Sequence, residues 1–467
     1  MKNLKYILVL FALTAFMGCE EQLEFKPQQS LDTDLAFANG QAADGALVGV
    51  YSGMQDLEVM GSMPQLISEY MADNVNFIGS FPTLQEINQY NTLSNNTSID
   101  QLYEDNFEVI TDANFVIANT ATVDDPLFSD EQKTQNIAEA RFLRAFVYFN
   151  MVNLFAPPFN SPGGPNAAAL PLVTEPFDGE IIEYSRSTVS EIHAQIIADL
   201  DFAIANLPGI NSNRGLASSG AAKALKSRLH LYRGEYAEAA QLAGEVINQG
   251  DYAAAGDLSF YPSVANPEVV FGIINTAIDN GRTGSGGWDS YFSPAEAGGR
   301  GDAPFSADLL ATYDANDLRV TSLTEVSPAG RIYTTKYNDA VNNTSDYLAI
   351  RVSEMHLTRA EALVATNGLG SAAEAIALVN PIRTRAGLAA WAAGDFADAA
   401  SLLAAIRNER RLELAFEGHR RMDLLRIGAA LRQGFAPAAF GADKTILPIP
   451  QREIDINPNL APNNPGY

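Results

Sequence analysis

One cysteine, four histidines and two tryptophans among 467 residues leave little material for several kinds of chemistry. With Cys19 alone, neither a disulfide, a thiolate–zinc cluster nor a cysteine dyad can be assembled within one molecule. His193, His230, His356 and His419 form no HExxH or similar ligand spacing, so metal catalysis is not expected. Basic residues are scarce as well: 30 Lys and Arg stand against 56 Asp and Glu, a net charge of -26. A surface this acidic repels phosphate backbones and anionic headgroups, and no local basic patch offsets it, which argues against nucleic acid and against a polybasic membrane contact. Sulfated and uronate-rich polymers are disfavoured for the same reason. Thr283 stands where a nucleophile elbow around Ser285 would need its first glycine, and no phosphate-binding Walker loop occurs. Asp314, Asn316 and Asp317 lack the glycine and spacing of an EF-hand loop and read as helix caps around residues 308–313.

What is present points to a folded, tethered body. With 47% hydrophobic and 18% charged residues the chain is too apolar to be a disordered acidic polymer. At its start, Lys2 and Lys5 precede an apolar run from Tyr6 to Phe16, then Gly18 and Cys19. The run is too short to span a bilayer and has the form of a bacterial lipoprotein signal. Residues 1–18 are then removed and the Cys19 thiol carries the lipid anchor; an ordinary secretory peptide with an incidental Cys is the alternative. Membrane attachment is expected through those acyl chains only. Glu20, Glu21 and Glu24 resemble the acidic surface-export tag of Bacteroidetes lipoproteins.

Hydrophobic periodicity past residue 30 predicts helices, twice as hairpins. Leu225, Leu229 and Tyr232 lie at helical spacing, Gly234 breaks the pattern, and Tyr236, Ala239, Ala243, Val246 and Ile247 resume it. The segment resembles a tetratricopeptide unit, in which small residues allow two helices to approach closely. A second pair is predicted over 353–368 and 371–388, with further helices over 138–155 and 189–207. One pair cannot bury its own apolar face, so an all-α stack of TPR-like hairpins, an αα superhelix, is expected. Long Pro- and Gly-rich stretches interrupt it at 156–179, about 276–306 and after Phe435, and binding elements concentrate on such loops. The expected organisation is an N-terminal region 19–215 packed with a C-terminal region 216–467 as one body.

These segments carry a family resemblance. RFLRAFVYFNMVNLF from Arg141, PLVTEPF from Pro171, the hairpin over 225–247, IRNERRLELAFEGHRRMDLLR from Ile406 and the C-terminal ILPIPQREIDINPN together look like the SusD/RagB family. The resemblance implies an all-α outer-membrane surface lipoprotein of Bacteroidetes with a loop-rich ligand-binding half and no catalytic residues. It also implies a SusC-like TonB-dependent transporter as partner, to which a bound polysaccharide or oligosaccharide is delivered for nutrient uptake. Some branches take peptides, so a peptide-uptake or envelope-assembly adaptor is the alternative, and a surface glycosidase is a third class with no positive signal.

Two segments are candidate glycan contacts. Gly281 to Phe305 is glycine-rich, which predicts an open backbone and an exposed Trp288, with Tyr291 beside it. Pyranose C–H faces pack on such rings, while Asp289, Arg300 and Asp302 supply hydrogen bonds to hydroxyls. The other reading has the same aromatics pinning the loop to the body. Asn74 to Phe81 adds Phe77 and Phe81, in a region where the resembled family often places a ligand loop. The charge balance favours a neutral glycan, and no cofactor is expected. The stripe Phe142, Phe146, Phe149 reads as core packing, as does Trp391. The charges from Arg410 to Asp423 read as a partly buried ion-pair network along one helix.

Overall fold

The computed structural model describes residues 33–282 and 284–467; the signal segment and Cys19 lie outside them. Helices dominate: α1 (Gly40–Gln55), α2 (Met63–Met71), α3 (Thr97–Asn119), α4 (Asp130–Phe155), α5 (Val189–Asn206), α6 (Ser219–Arg233), α7 (Tyr236–Ile247), α8 (Val352–Asn367), α9 (Ala372–Arg385) and α10 (Ala399–Glu413). From α3 to α9 each helix packs on the next, which is the superhelical stack expected from the sequence. Gly234 closes α6 at φ 75°, a left-handed conformation that glycine adopts without strain, and the turn of α7 follows directly. Helix α4 starts eight residues before the predicted boundary. Its first turns are polar and carry no apolar rhythm, but Ser129 and Gln132 form a reciprocal capping box that fixes the start.

The phenyl stripe of α4 is core, as read from its spacing. Phe142 meets Phe271 edge-on at 5.0 Å, and Phe149 stacks on Tyr232 at 5.5 Å. Phe271 belongs to β1 (Val269–Ile273), paired antiparallel with β2 (Tyr347–Arg351), and these fully buried strands tie the loop-rich region 250–350 to the helices. One hydrophobic cluster runs from Leu47 to Leu460 and includes both parts. A smaller cluster under α8, α9 and α10 has half-buried Trp391 packed against it.

The charged run 406–426 is structural, but its pairs are not those expected. Helix α10 ends at Glu413, and Phe416 and Gly418 take positive φ, so the charges do not share one helical face. Each finds a partner from another element instead. Glu413 lies 3.1 Å from Arg351 and also meets Arg385 and Arg319; Glu417 holds Arg351 at 2.8 Å and Lys336 at 2.6 Å. Arg410 pairs with Asp423 at 2.9 Å, and Arg420 with Asp73 at 2.6 Å. These buried ions lock α10 against the loop-rich region. The helix Ala307–Thr312 is capped by Ser306, not by the Asp314–Asp317 group, and Asp317 instead caps the short helix Leu318–Thr321 through the Arg319 N–H.

Candidate functional site

Trp288 is not exposed. Its indole is completely buried, 4.4 Å from the ring of Tyr337 and 4.6 Å from Tyr347. Residues 288–292 form a short helical turn that plugs the core, carrying Tyr291 and Phe292 inward as well. Asp289 is equally interred: its carboxylate accepts from the N–H groups of Asp339 and Ser345, each at 3.0 Å, and burial holds its pKa above the usual range. It anchors the 339–345 loop rather than facing a ligand.

Glycine explains the misreading. A Cβ at Gly287 would lie 2.6 Å from Asn343 Oδ1, and one at Gly281 only 1.8 Å from the carbonyl of Gln55. These glycines permit close backbone approach, which buries the neighbouring aromatics instead of presenting them.

The end of the same segment does reach the surface, against the second candidate segment. Ile78 N–H donates to the carbonyl of Asp302 and Asn76 N–H to that of Pro304, both at 2.9 Å, and Val75 bridges Phe305. The two segments thus run antiparallel as a short ribbon. Gly79 lets the ribbon close tightly, since a Cβ there would meet the Phe77 ring at 2.6 Å and the Asp302 carboxyl carbon at 2.7 Å and force those side chains to shift. Gln85 further holds the turn through the Gly79 carbonyl at 2.9 Å.

Phe81 stands at the end of this ribbon with 48% of its surface exposed, and Ile78 with 38%. Phe77 is half-buried and packs on Tyr70 at 4.6 Å. The Arg300 guanidinium lies over Phe81 at 5.3 Å and over Tyr291 at 5.1 Å. Its Nε donates to Asp302 at 2.8 Å and one terminal nitrogen to Ser285 at 3.2 Å. Burial pushes the Tyr291 phenol up to about 12, so it is a neutral hydrogen-bonding group. Nearby Glu58 is pushed up to about 7, chiefly by burial and then by the Asp105 carboxylate.

The structure therefore brings together Phe77, Phe81 and Arg300, with Tyr291 buried behind the guanidinium, and removes Trp288, Asp289 and Tyr291 from any ligand-facing position. Ile78 escaped the sequence reading, because the ribbon pairing that recruits it leaves no periodic signal, whereas Asp302 was read as a hydroxyl partner and lies in the ribbon. The arrangement is an amphipathic platform: an open ring backed by a planar cation, with amide and carboxylate groups around it. No group of three or more His, Cys, Asp or Glu suited to a metal occurs among the described residues.

Two family models match the chain. One, described as the SusD family, covers residues 327–444; the other, described as starch-binding associating with outer membrane, covers residues 21–231. SusD-like protein P2 of Formosa agariphila is 29% identical over the full length of both chains. A SusD superfamily protein of Bacteroides thetaiotaomicron superimposes with a TM-score of 0.82 at 25% identity, covering 91% of this chain and 100% of that one. A laminarin-binding SusD-like protein superimposes with a TM-score of 0.75 at 26% identity, covering 92% and 100%.

Proposed function

The chain belongs to the SusD/RagB family, and on that premise we propose that it is a non-catalytic surface lipoprotein that holds a neutral glycan on the Phe81 platform. The observation that carries this reading is the open Phe81 ring backed by Arg300 on a ribbon of two paired loops. A pyranose ring lies against Phe81 and Ile78, while Arg300, Asp302 and Asn76 offer donors and acceptors to its hydroxyls. Delivery goes to a SusC-like TonB-dependent transporter in the outer membrane, to which Cys19 tethers the body by lipid. The -26 net charge disfavours anionic polymers. The laminarin-binding relative supports a neutral polysaccharide as the ligand class.

The site is open rather than enclosing, so binding is modest, in the micromolar to millimolar range or roughly 4 to 8 kcal/mol. Affinity electrophoresis of the mature body, residues 19–467, against a panel of neutral and acidic polysaccharides tests the reading. Retardation by a neutral glycan, lost in Phe81→Ala, is the expected result. Retention of peptides with no polysaccharide bound would refute it, and release of reducing ends would refute the non-catalytic assignment.

A further inference from the structure

A second open phenyl ring lies beyond the short helix Pro82–Asn88 that follows Phe81. Phe435 has 40% of its surface exposed and meets the Tyr90 ring edge-on, with centroids 5.8 Å apart. Tyr90 is buried, and the Arg432 guanidinium lies over its ring at 5.5 Å. The parts repeat those of the first platform: an exposed phenyl, a buried tyrosine and a guanidinium over the tyrosine ring. The backing is rigid. Arg432 donates to the carbonyls of Ala72 and Asn88, at 3.1 and 3.0 Å, and to that of Tyr70, while Tyr90 Oη donates to the carbonyl of Met71. Tyr90 holds this place at φ 58°, in the left-handed region, which a bulky side chain occupies only where its surroundings impose it.

Both platforms are therefore built on the C-terminal end of α2. Phe77 of the first packs on the Tyr70 ring, and Tyr90 and Arg432 of the second hold the carbonyls of Tyr70, Met71 and Ala72. The helix between Phe81 and Tyr90 has seven residues, about 10 Å at 1.5 Å per residue. That gap is too wide for one sugar ring and short enough for an oligosaccharide.

The groups around the second ring suit hydroxyls rather than charges. Gln89 and Asn91, on either side of Tyr90 in the chain, and Gln433, two residues before Phe435, are exposed, and their amides make no side-chain hydrogen bond among the described residues. The charged neighbours are already engaged, Arg432 by its three carbonyls and Glu86 by Asn96 at 2.7 Å. A lone exposed phenyl is ordinary on a protein surface. One backed by a constrained tyrosine and flanked by free neutral amides has the makeup of a sugar contact.

We propose that Phe435 is a second glycan contact and that one neutral chain runs from Phe81 past the Pro82–Asn88 helix to Phe435, so that the ligand is an oligosaccharide of several sugars and not a mono- or disaccharide. The proposal rests on the Phe81 reading above.

The test measures by calorimetry the affinity of the mature body for oligosaccharides, from disaccharide to octasaccharide, cut from the neutral polysaccharide that retards it. Wild-type affinity should rise with length and level off, with one long chain bound per protein. Phe435→Ala should remove that rise, lowering octasaccharide affinity about three- to tenfold, while the affinity for the shortest bound oligosaccharide and the thermal midpoint stay at wild-type values. Phe435→Tyr, which keeps a ring, should bind octasaccharide as wild type does. Phe81→Ala should weaken every length. An octasaccharide affinity unchanged in Phe435→Ala, or two long chains bound per protein, would overturn the second contact and leave the Phe81 platform standing. A wild-type protein retarded by no neutral polysaccharide, or a Phe81→Ala variant that binds every length normally, would overturn the Phe81 reading and the spanning chain with it.

Discussion

The Arg300 guanidinium lies 5.3 Å from the centroid of the Phe81 ring and at the same time 5.1 Å from that of Tyr291. One of these rings is open to solvent and the other is buried. Arg300 therefore couples the outermost aromatic to the core and fixes the orientation in which Phe81 meets a ligand. A cation–π contact at a site this open is worth about 0.5–1 kcal/mol. Arg300→Ala should weaken glycan binding roughly two- to fivefold through loss of that orientation and of one hydroxyl partner, less than Phe81→Ala. Calorimetry with the bound glycan measures the difference. Equal affinities for Arg300→Ala and wild type would remove Arg300 from the platform.

Trp288→Ala should act on stability, not on ligand contact. The indole fills a fully buried position among Phe292, Tyr337 and Tyr347, and emptying such a site costs about 3–5 kcal/mol. Urea titration of the mature body should show a lower midpoint, and whatever fraction remains folded should bind glycan with wild-type affinity. An unchanged midpoint would mean that the indole does not fill the core.

Much of this architecture was legible in the residues themselves. The two hairpins and the α4 phenyl stripe follow from local spacing, and local spacing is what a single sequence displays directly. The site was legible by region and not by residue. Gly281 to Phe305 and Asn74 to Phe81 do come together, but what decides exposure is how closely Gly281 and Gly287 approach Gln55 and Asn343. Those contacts link positions far apart in the chain. The ion network failed in the same way: Glu413 and Glu417 find Arg351, Arg385 and Lys336 across the fold, because Phe416 and Gly418 break the helix on which short-range pairing was read.

That network should be unforgiving of single deletions. Burial alone would raise the Glu413 carboxyl, yet Arg385, Arg351 and Arg319 outweigh it and bring its pKa down to about 2. Glu413→Ala strands those guanidinium groups without a counter-charge, which should cost about 3–5 kcal/mol. Chemical denaturation would register this as a large fall in midpoint; a change below about 1 kcal/mol would show the network to be solvated.

Glu69 gives a prediction with a defined sign against pH. It is fully buried in α2, accepts from Asn74 Nδ2 and from the Gly418 N–H at 3.0 Å each, and burial pushes it from 4.5 up to about 7 despite those bonds. Its folded-state value lies above its unfolded one, so between pH 4.5 and 7 the folded protein binds the extra proton. Wild-type stability from this group is accordingly lost as pH rises through that window. Glu69→Gln cannot titrate, so the stability of the variant minus that of wild type should climb by about 3 kcal/mol from pH 4.5 to pH 7 and level off above it. Taking the difference cancels the opposing contributions of buried His193 and His419, whose pKa values are lowered by burial. Paired denaturation curves at four pH values measure it. A difference that stays flat, or falls with pH, would show that Glu69 is ionised throughout and that its two hydrogen bonds outweigh its burial.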